Sequence, residues 1–189
     1  MTNRWPLPIR LLHWSTAGLV LVAVPAALLA QRLTEIDTPV AEHLIEAHMA
    51  AGLTIALITL ARLSLRLVLS RPKDPERPLA LDLLVRAGTV SFYGLLLLLP
   101  ATGILKLTLS GLDVSILGAT ILPSSGTAPA VARALSRLHA ILGWVLVATV
   151  LLHVAATLLH ARLFGAPVMP RMALRLTRDG DTSQGASSP

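Results

Sequence analysis

Four stretches of this 189-residue chain contain no Asp, Glu, Lys or Arg: Leu11–Gln31, Ala47–Ala61, Ala87–Leu105 and Leu138–Ala161. Nothing else in the sequence restricts the fold as strongly. A helix needs about 20 residues to cross ~30 Å of hydrocarbon, where every backbone polar group must be satisfied internally. The first, third and fourth stretches are long enough unaided. The second becomes a full span if Arg62 and Arg66 lie at its end and snorkel to the headgroups, extending the helix to about Leu69. With 54% apolar residues and a mean hydropathy of +0.72, the chain is far more apolar than a water-soluble domain of its size. The expectation is an all-α membrane protein: a four-helix transmembrane bundle with helices over about 9–31, 43–69, 82–106 and 133–163, forming one unit over residues 1–176.

A fifth uncharged stretch, Val114–Ala132, fails as a span because ILPSSGTAPA interrupts it. It is expected as a loop, with an interfacial helix as the ordered element it could hold. The first helix has Arg4 and Arg10 before it, as a secretory signal would. Its apolar core is too long for one and carries His13, so it is expected as a retained anchor. The polar, Ser/Gly-rich residues 177–189 are expected to be a disordered tail.

Four spans put both termini on one side, and basic residues choose which. Of the 16 Lys and Arg, twelve fall on the N-terminal side, leaving Arg32, Lys106, Arg133 and Arg137 opposite. This positive-inside bias makes both termini cytoplasmic. The net charge of +6 is then a topology signal, and a nucleic-acid partner is not expected.

His139 and His153 share the last uncharged stretch. Their spacing of fourteen residues leaves them within roughly 40° on one helix face, ~21 Å apart along the axis. Ionisable side chains in lipid are costly and usually kept for function. By depth, His13 lies near the cytoplasmic start of the first helix and His48 near the outer start of the second. His139 therefore pairs with His48 outside, and His153 with His13 inside. Each pair bridges two helices, as a clamp on a flat ring requires. The third helix has no histidine and is expected to serve as packing.

Gly52 follows His48, and Gly143 follows His139, at the same H-x3-G spacing. A glycine one turn from a ligand leaves room for a planar guest. Close helix packing is the other use of such a residue, and the repeat beside both histidines favours the guest. The chain has no cysteine, which removes iron–sulfur clusters and covalently attached c-type haem. Zinc and di-iron sites would want carboxylate or thiolate ligands, and the uncharged stretches hold none. Haem iron needs only axial ligands because the porphyrin supplies four. Two histidines fill both positions, which suits electron transfer more than oxygen binding. Two non-covalent haems per chain are the expected cofactor.

Several segments together resemble the prokaryotic cytochrome b561 family, related to the cytochrome b subunits of nickel–iron hydrogenases and formate dehydrogenases. They are IRLLHW with His13, EAHMAAG with His48, LARLSLRL with Arg62 and Arg66, LLPATG with Pro100 and Gly103, and LHAILGWVLVATVLLHVAA with His139 and His153. The resemblance covers roughly residues 4 to 173. It implies a cytochrome of the bacterial inner membrane with two haem b groups and those four histidines as axial ligands, exchanging electrons with quinone. The family includes superoxide oxidases, which pass an electron from periplasmic superoxide to ubiquinone. The resemblance also allows a haem-carrying relay subunit that links a soluble dehydrogenase or cytochrome to the quinone pool.

Other residues carry further expectations. Arg62 and Arg66 either neutralise propionates of the inner haem or cap the cytoplasmic end of the second helix. Lys106, Arg133 and Arg137 would steer a small anion such as superoxide to the outer haem, or anchor the interface. His43 and His160 are expected at the surface, and Trp5, Trp14 and Trp144 in the interfacial belts. Pro25 and Pro100 are expected as structural kinks.

Overall fold

The computed structural model describes residues 4–36, 38–69, 78–116, 118–164 and 171–174, the side chains at 160, 161, 163 and 164 excepted. The expected disordered tail, 177–189, lies outside the described residues. Four long helices make up most of the chain: α1 Leu7–Leu33, α2 Thr38–Val68, α3 Leu79–Thr108 and α4 Pro129–Phe164. All four are long and apolar enough to cross a membrane. Each extends beyond its uncharged stretch, because charged residues are excluded from hydrocarbon but tolerated at the headgroups. Prolines mark three starts: Pro6 precedes α1, Pro78 precedes α3 and Pro129 opens α4.

The segment between α3 and α4 is a connection, as expected, but its ordered element is not an interfacial helix. It holds a β-hairpin, with β1 Val114–Ile116 antiparallel to β2 Ala119–Leu122. Val114, Ile116, Thr120 and Ile121 are β-branched, which favours a pleated strand over a short helix. Gly118, at φ +77°, supplies the left-handed residue that the tight connection needs. The chain on either side of the hairpin is joined by the Ser110–Thr127 bridge, just ahead of α4.

In the bundle α1 packs against α2, α3 against α4, and α2 against α3. The α1–α2 seam is lined by small residues, among them buried Ala23, Ala26, Ala30, Ala41 and Ala51. Lipid gives no hydrophobic drive for helices to associate, so close backbone approach through small side chains is what holds them. The apolar core gathers Ala23, Ala51, Ile55, Leu95, Leu96 and Leu146, with Phe92, Leu99 and Val150 against it. Leu146 stands midway in sequence between His139 and His153, so this core lies between the two histidine levels. Helix threonines bond their hydroxyls back to the carbonyl four residues earlier, as Thr16 does to Leu12 O at 2.8 Å and Thr149 to Val145 O at 2.7 Å. That satisfies a polar group without water.

The segment after α4 returns to the start of α1. The Trp5 amide donates to Arg171 O at 3.2 Å, the Trp14 indole to Met172 O at 2.8 Å, and the Arg10 guanidinium to Ala173 O. These contacts bring the two ends of the bundle's chain together on one side, as four crossings require.

Candidate functional site

His48 on α2 and His139 on α4 face each other across the bundle with ring centroids 6.0 Å apart, nearly perpendicular at 85°. Two imidazoles that each give one nitrogen to a shared metal at ~2 Å would have their centroids about 6 Å apart. The ring nitrogens are oriented to suit. His48 Nδ1 lies 2.9 Å from Ala23 O on α1, and His139 Nδ1 lies 3.0 Å from Leu99 O on α3. A carbonyl can only accept, so Nδ1 carries the proton in both rings and Nε2 keeps its lone pair. A metal-bound histidine typically donates its second nitrogen in this way. Each histidine is tied through Nδ1 to its neighbouring helix, which leaves Nε2 as the nitrogen with a lone pair to give.

Helix α3 is more than packing, contrary to the sequence expectation. Besides Leu99 O, it places Thr102 Oγ1 3.1 Å from His139 Nδ1. A Cβ at Gly103 would meet His139 Cε1 at 3.2 Å, so only glycine admits the ring in this position without a shift. Both accepting carbonyls lie within a turn of a helix proline, Ala23 before Pro25 and Leu99 before Pro100. Gly52 and Gly143 are different: a Cβ at either would meet nothing within 4 Å. They are not close-packing glycines, and the space beside each histidine is open.

At the inner level His13 of α1 and His153 of α4 lie within electrostatic reach of each other, and both of Arg62. Phe92 packs against His153 with ring centroids 5.3 Å apart. Arg62 follows His48 on α2 at the spacing by which His153 follows His139 on α4. By ~100° per residue, His48, Gly52, Thr59 and Arg62 share one face of α2. Thr59 Oγ1 and Arg62 Nε are buried with no hydrogen-bond partner among the described residues. Two orphaned polar atoms a turn apart, one of them on a guanidinium, suit a carboxylate-bearing guest at this level.

Arg62 and Arg66 converge on Tyr93 of α3. Their guanidinium carbons lie 5.9 and 5.7 Å from its ring centroid, and Arg66 Nη1 donates to the phenol oxygen at 3.4 Å. Arg66 also covers the Trp5 ring at 5.0 Å. A surface cavity of about 410 Å³ runs between α2 and α3 here, apolar along Leu63, Leu67, Val90 and Leu97, with Arg66 and Tyr93 as its polar wall.

At the outer end Lys106 lies within electrostatic reach of His139, while Arg133 and Arg137 are exposed on the first turns of α4. His43 is exposed, 3.8 Å from Glu46, and takes no part in either histidine pair. The His160 side chain lies outside the described residues. Trp14 and Trp144 are exposed on the bundle surface.

Among the described residues no three of His, Asp or Glu gather into a metal cluster. The histidines come in pairs, and a pair of imidazoles would suit an iron that brings four ring nitrogens of its own. Thr102, Phe92, Tyr93 and the two carbonyls were not singled out as site groups in the sequence. The LLPATG segment was the one signal pointing near Thr102.

No curated protein matches the chain. A family model described as prokaryotic cytochrome b561 matches residues 4–173, almost the whole bundle. The chain therefore belongs to the prokaryotic cytochrome b561 family, and is a transmembrane b-type, haem b cytochrome of electron transfer.

Proposed function

We propose that this cytochrome carries electrons from a donor at the outer face of the bacterial inner membrane to ubiquinone, using two haem b groups each held by two histidines. His48 and His139 hold the outer haem, and His13 and His153 the inner. The observation that supports this best is the outer pair: ring centroids 6.0 Å apart, with each Nδ1 bonded to a carbonyl so that each Nε2 keeps its lone pair. Bound there, haem would supply a one-electron iron couple, with the two imidazoles as its protein ligands.

The remaining residues divide the work by level. Outside, Lys106 with Arg133 and Arg137 attracts a small anionic donor such as superoxide. Gly52 and Gly143 keep side chains away from the ring faces. Inside, Arg62 and Arg66 bind carboxylates, and Phe92 steadies the His153 ring. Tyr93 is the next residue after Phe92, so the α2–α3 cavity opens beside the inner pair. Its apolar wall suits a lipid-soluble quinone, with Arg66 and Tyr93 reaching the head-group oxygens. Two superoxide anions each give one electron and leave as dioxygen; ubiquinone takes both electrons with two protons and leaves as ubiquinol.

Haem counted per chain, with a reduced-minus-oxidised spectrum, tests the ligand assignment. Two haems in the wild type should fall to one in His48→Ala, with the inner signal spared. Two haems in that variant would refute the pairing. Superoxide added to the reconstituted protein with ubiquinone should reduce the haem and form quinol. A loaded protein whose spectrum does not respond would remove superoxide as donor, leaving a redox protein that should then co-purify.

A further inference from the structure

The two outer histidines are not held alike. His48 Nδ1 has a single acceptor among the described residues, Ala23 O at 2.9 Å. His139 Nδ1 has two, Leu99 O at 3.0 Å and Thr102 Oγ1 at 3.1 Å. The Thr102 hydroxyl is itself 2.8 Å from Leu98 O and 2.9 Å from Leu99 O. With its proton given to one of these carbonyls, a lone pair of Oγ1 faces the His139 N–H. Thr102 is buried, so water does not compete for that N–H. At the same edge of the ring, a Cβ on Gly103 would lie 3.2 Å from Cε1 and 3.5 Å from Nδ1. Consecutive residues of α3 thus hold one edge of His139, by a hydrogen bond and by steric fit.

We propose that Thr102 is a positioning residue for the outer iron centre: its hydroxyl fixes the ring of His139 and, as a second acceptor for Nδ1–H, strengthens donation from Nε2. A better acceptor behind a ligating imidazole raises its basicity, which favours ferric over ferrous iron. Thr102 therefore holds the outer centre at a lower potential than a single backbone acceptor would. Gly103 keeps the ring close enough for this bond. The proposal rests on His139 being a ligand of the outer haem.

The test is a spectroelectrochemical titration, with low-temperature electron paramagnetic resonance of the oxidised protein, on the haem-loaded full chain. Thr102→Val keeps the shape and removes the hydroxyl. The outer midpoint should rise by on the order of a tenfold change in the ferric-to-ferrous ratio at fixed poise, ~59 mV for a one-electron couple, with the inner midpoint unmoved. Thr102→Ser should restore the wild-type value. Gly103→Ala, which keeps the hydroxyl but crowds the ring, should alter the outer resonance signal. Loss of the outer haem in Thr102→Val, with recovery in Thr102→Ser, supports the same role. An unchanged outer midpoint in Thr102→Val, or failure of Thr102→Ser to recover, overturns it. His139→Ala separates the two levels of inference: if it keeps both haem signals, the ligand assignment itself fails; if it loses one while Thr102→Val shifts nothing, only the role of Thr102 fails.

Discussion

Arg62 shows how a single residue can matter through its place on a helix face. It stands on α2 at nearly the azimuth of His48, so one face offers an imidazole at the outer depth and a guanidinium at the inner. A cation beside an iron porphyrin favours the ferrous form, which carries one less positive charge. Arg62→Gln should therefore lower the inner midpoint, by on the order of 1 kcal/mol at an effective dielectric of ~20, and leave the outer midpoint in place. Arg62→Lys should keep most of the wild-type value. A rise in the inner midpoint of Arg62→Gln, followed by optical titration, would contradict this placement. The faces that carry His48, Gly52 and Arg62, or His139 and His153, can be read from spacing because side-chain identity is written in the sequence. The acceptors behind the rings cannot. Ala23 and Leu99 act through backbone carbonyls, which every residue has, and only packing of α2 on α1 and of α4 on α3 selects them.

Among the elements, α1 and α2 depend on a seam of alanines, and His48 reaches Ala23 O across it. Ala51 lies one turn beyond His48 in the same seam and is 5% exposed. Ala51→Leu would wedge the helices apart at a cost of ~1–3 kcal/mol and draw His48 from its acceptor. Thermal loss of the haem absorbance should begin at lower temperature, with the outer signal lost first. Leu57→Ala, on the exposed face of the same helix, should leave that temperature nearly unchanged. Equal sensitivity of both variants would mean that the seam does not hold the outer site. The helices themselves were legible, because a run without charge long enough to cross hydrocarbon has few other structures open to it. Their ends were less so, since α2 begins at Thr38 and α4 at Pro129, in polar sequence that the bilayer does not constrain. The hairpin was missed because Val114–Ala132 is uncharged but punctuated. Its strands show only as a few β-branched residues around Gly118, whose φ of +77° no composition reveals. Gly118→Val should destabilise that turn by about 1–2 kcal/mol and leave haem content unchanged, measured by thermal denaturation and haem assay.

At the scale of the whole molecule, the electron path has a direction only if the bundle has an orientation. The contacts of Trp5, Arg10 and Trp14 with residues 171–173 join both ends of the chain at one face, and the α3–α4 hairpin lies at the other. The sequence puts most basic residues before, between or after helices on the first face, and the proposed orientation sets that face in the cytoplasm by the positive-inside rule. The chain has no cysteine, so single cysteines report on one position each. Ser124 is exposed beyond the hairpin, and its amide rather than its hydroxyl bonds Asp113 Oδ1 at 2.7 Å, so Ser124→Cys should leave the loop intact. Leu79 is 74% exposed at the start of α3. A thiol reagent that cannot cross membranes should label Ser124→Cys in cells whose outer membrane is opened. It should label Leu79→Cys only after the inner membrane is broken. The reverse pattern would turn the molecule over, place Lys106 and His139 on the cytoplasmic side, and exclude a periplasmic anion as the donor to that pair. Labelling at both positions before lysis would mean that the four helices do not form a closed set of crossings.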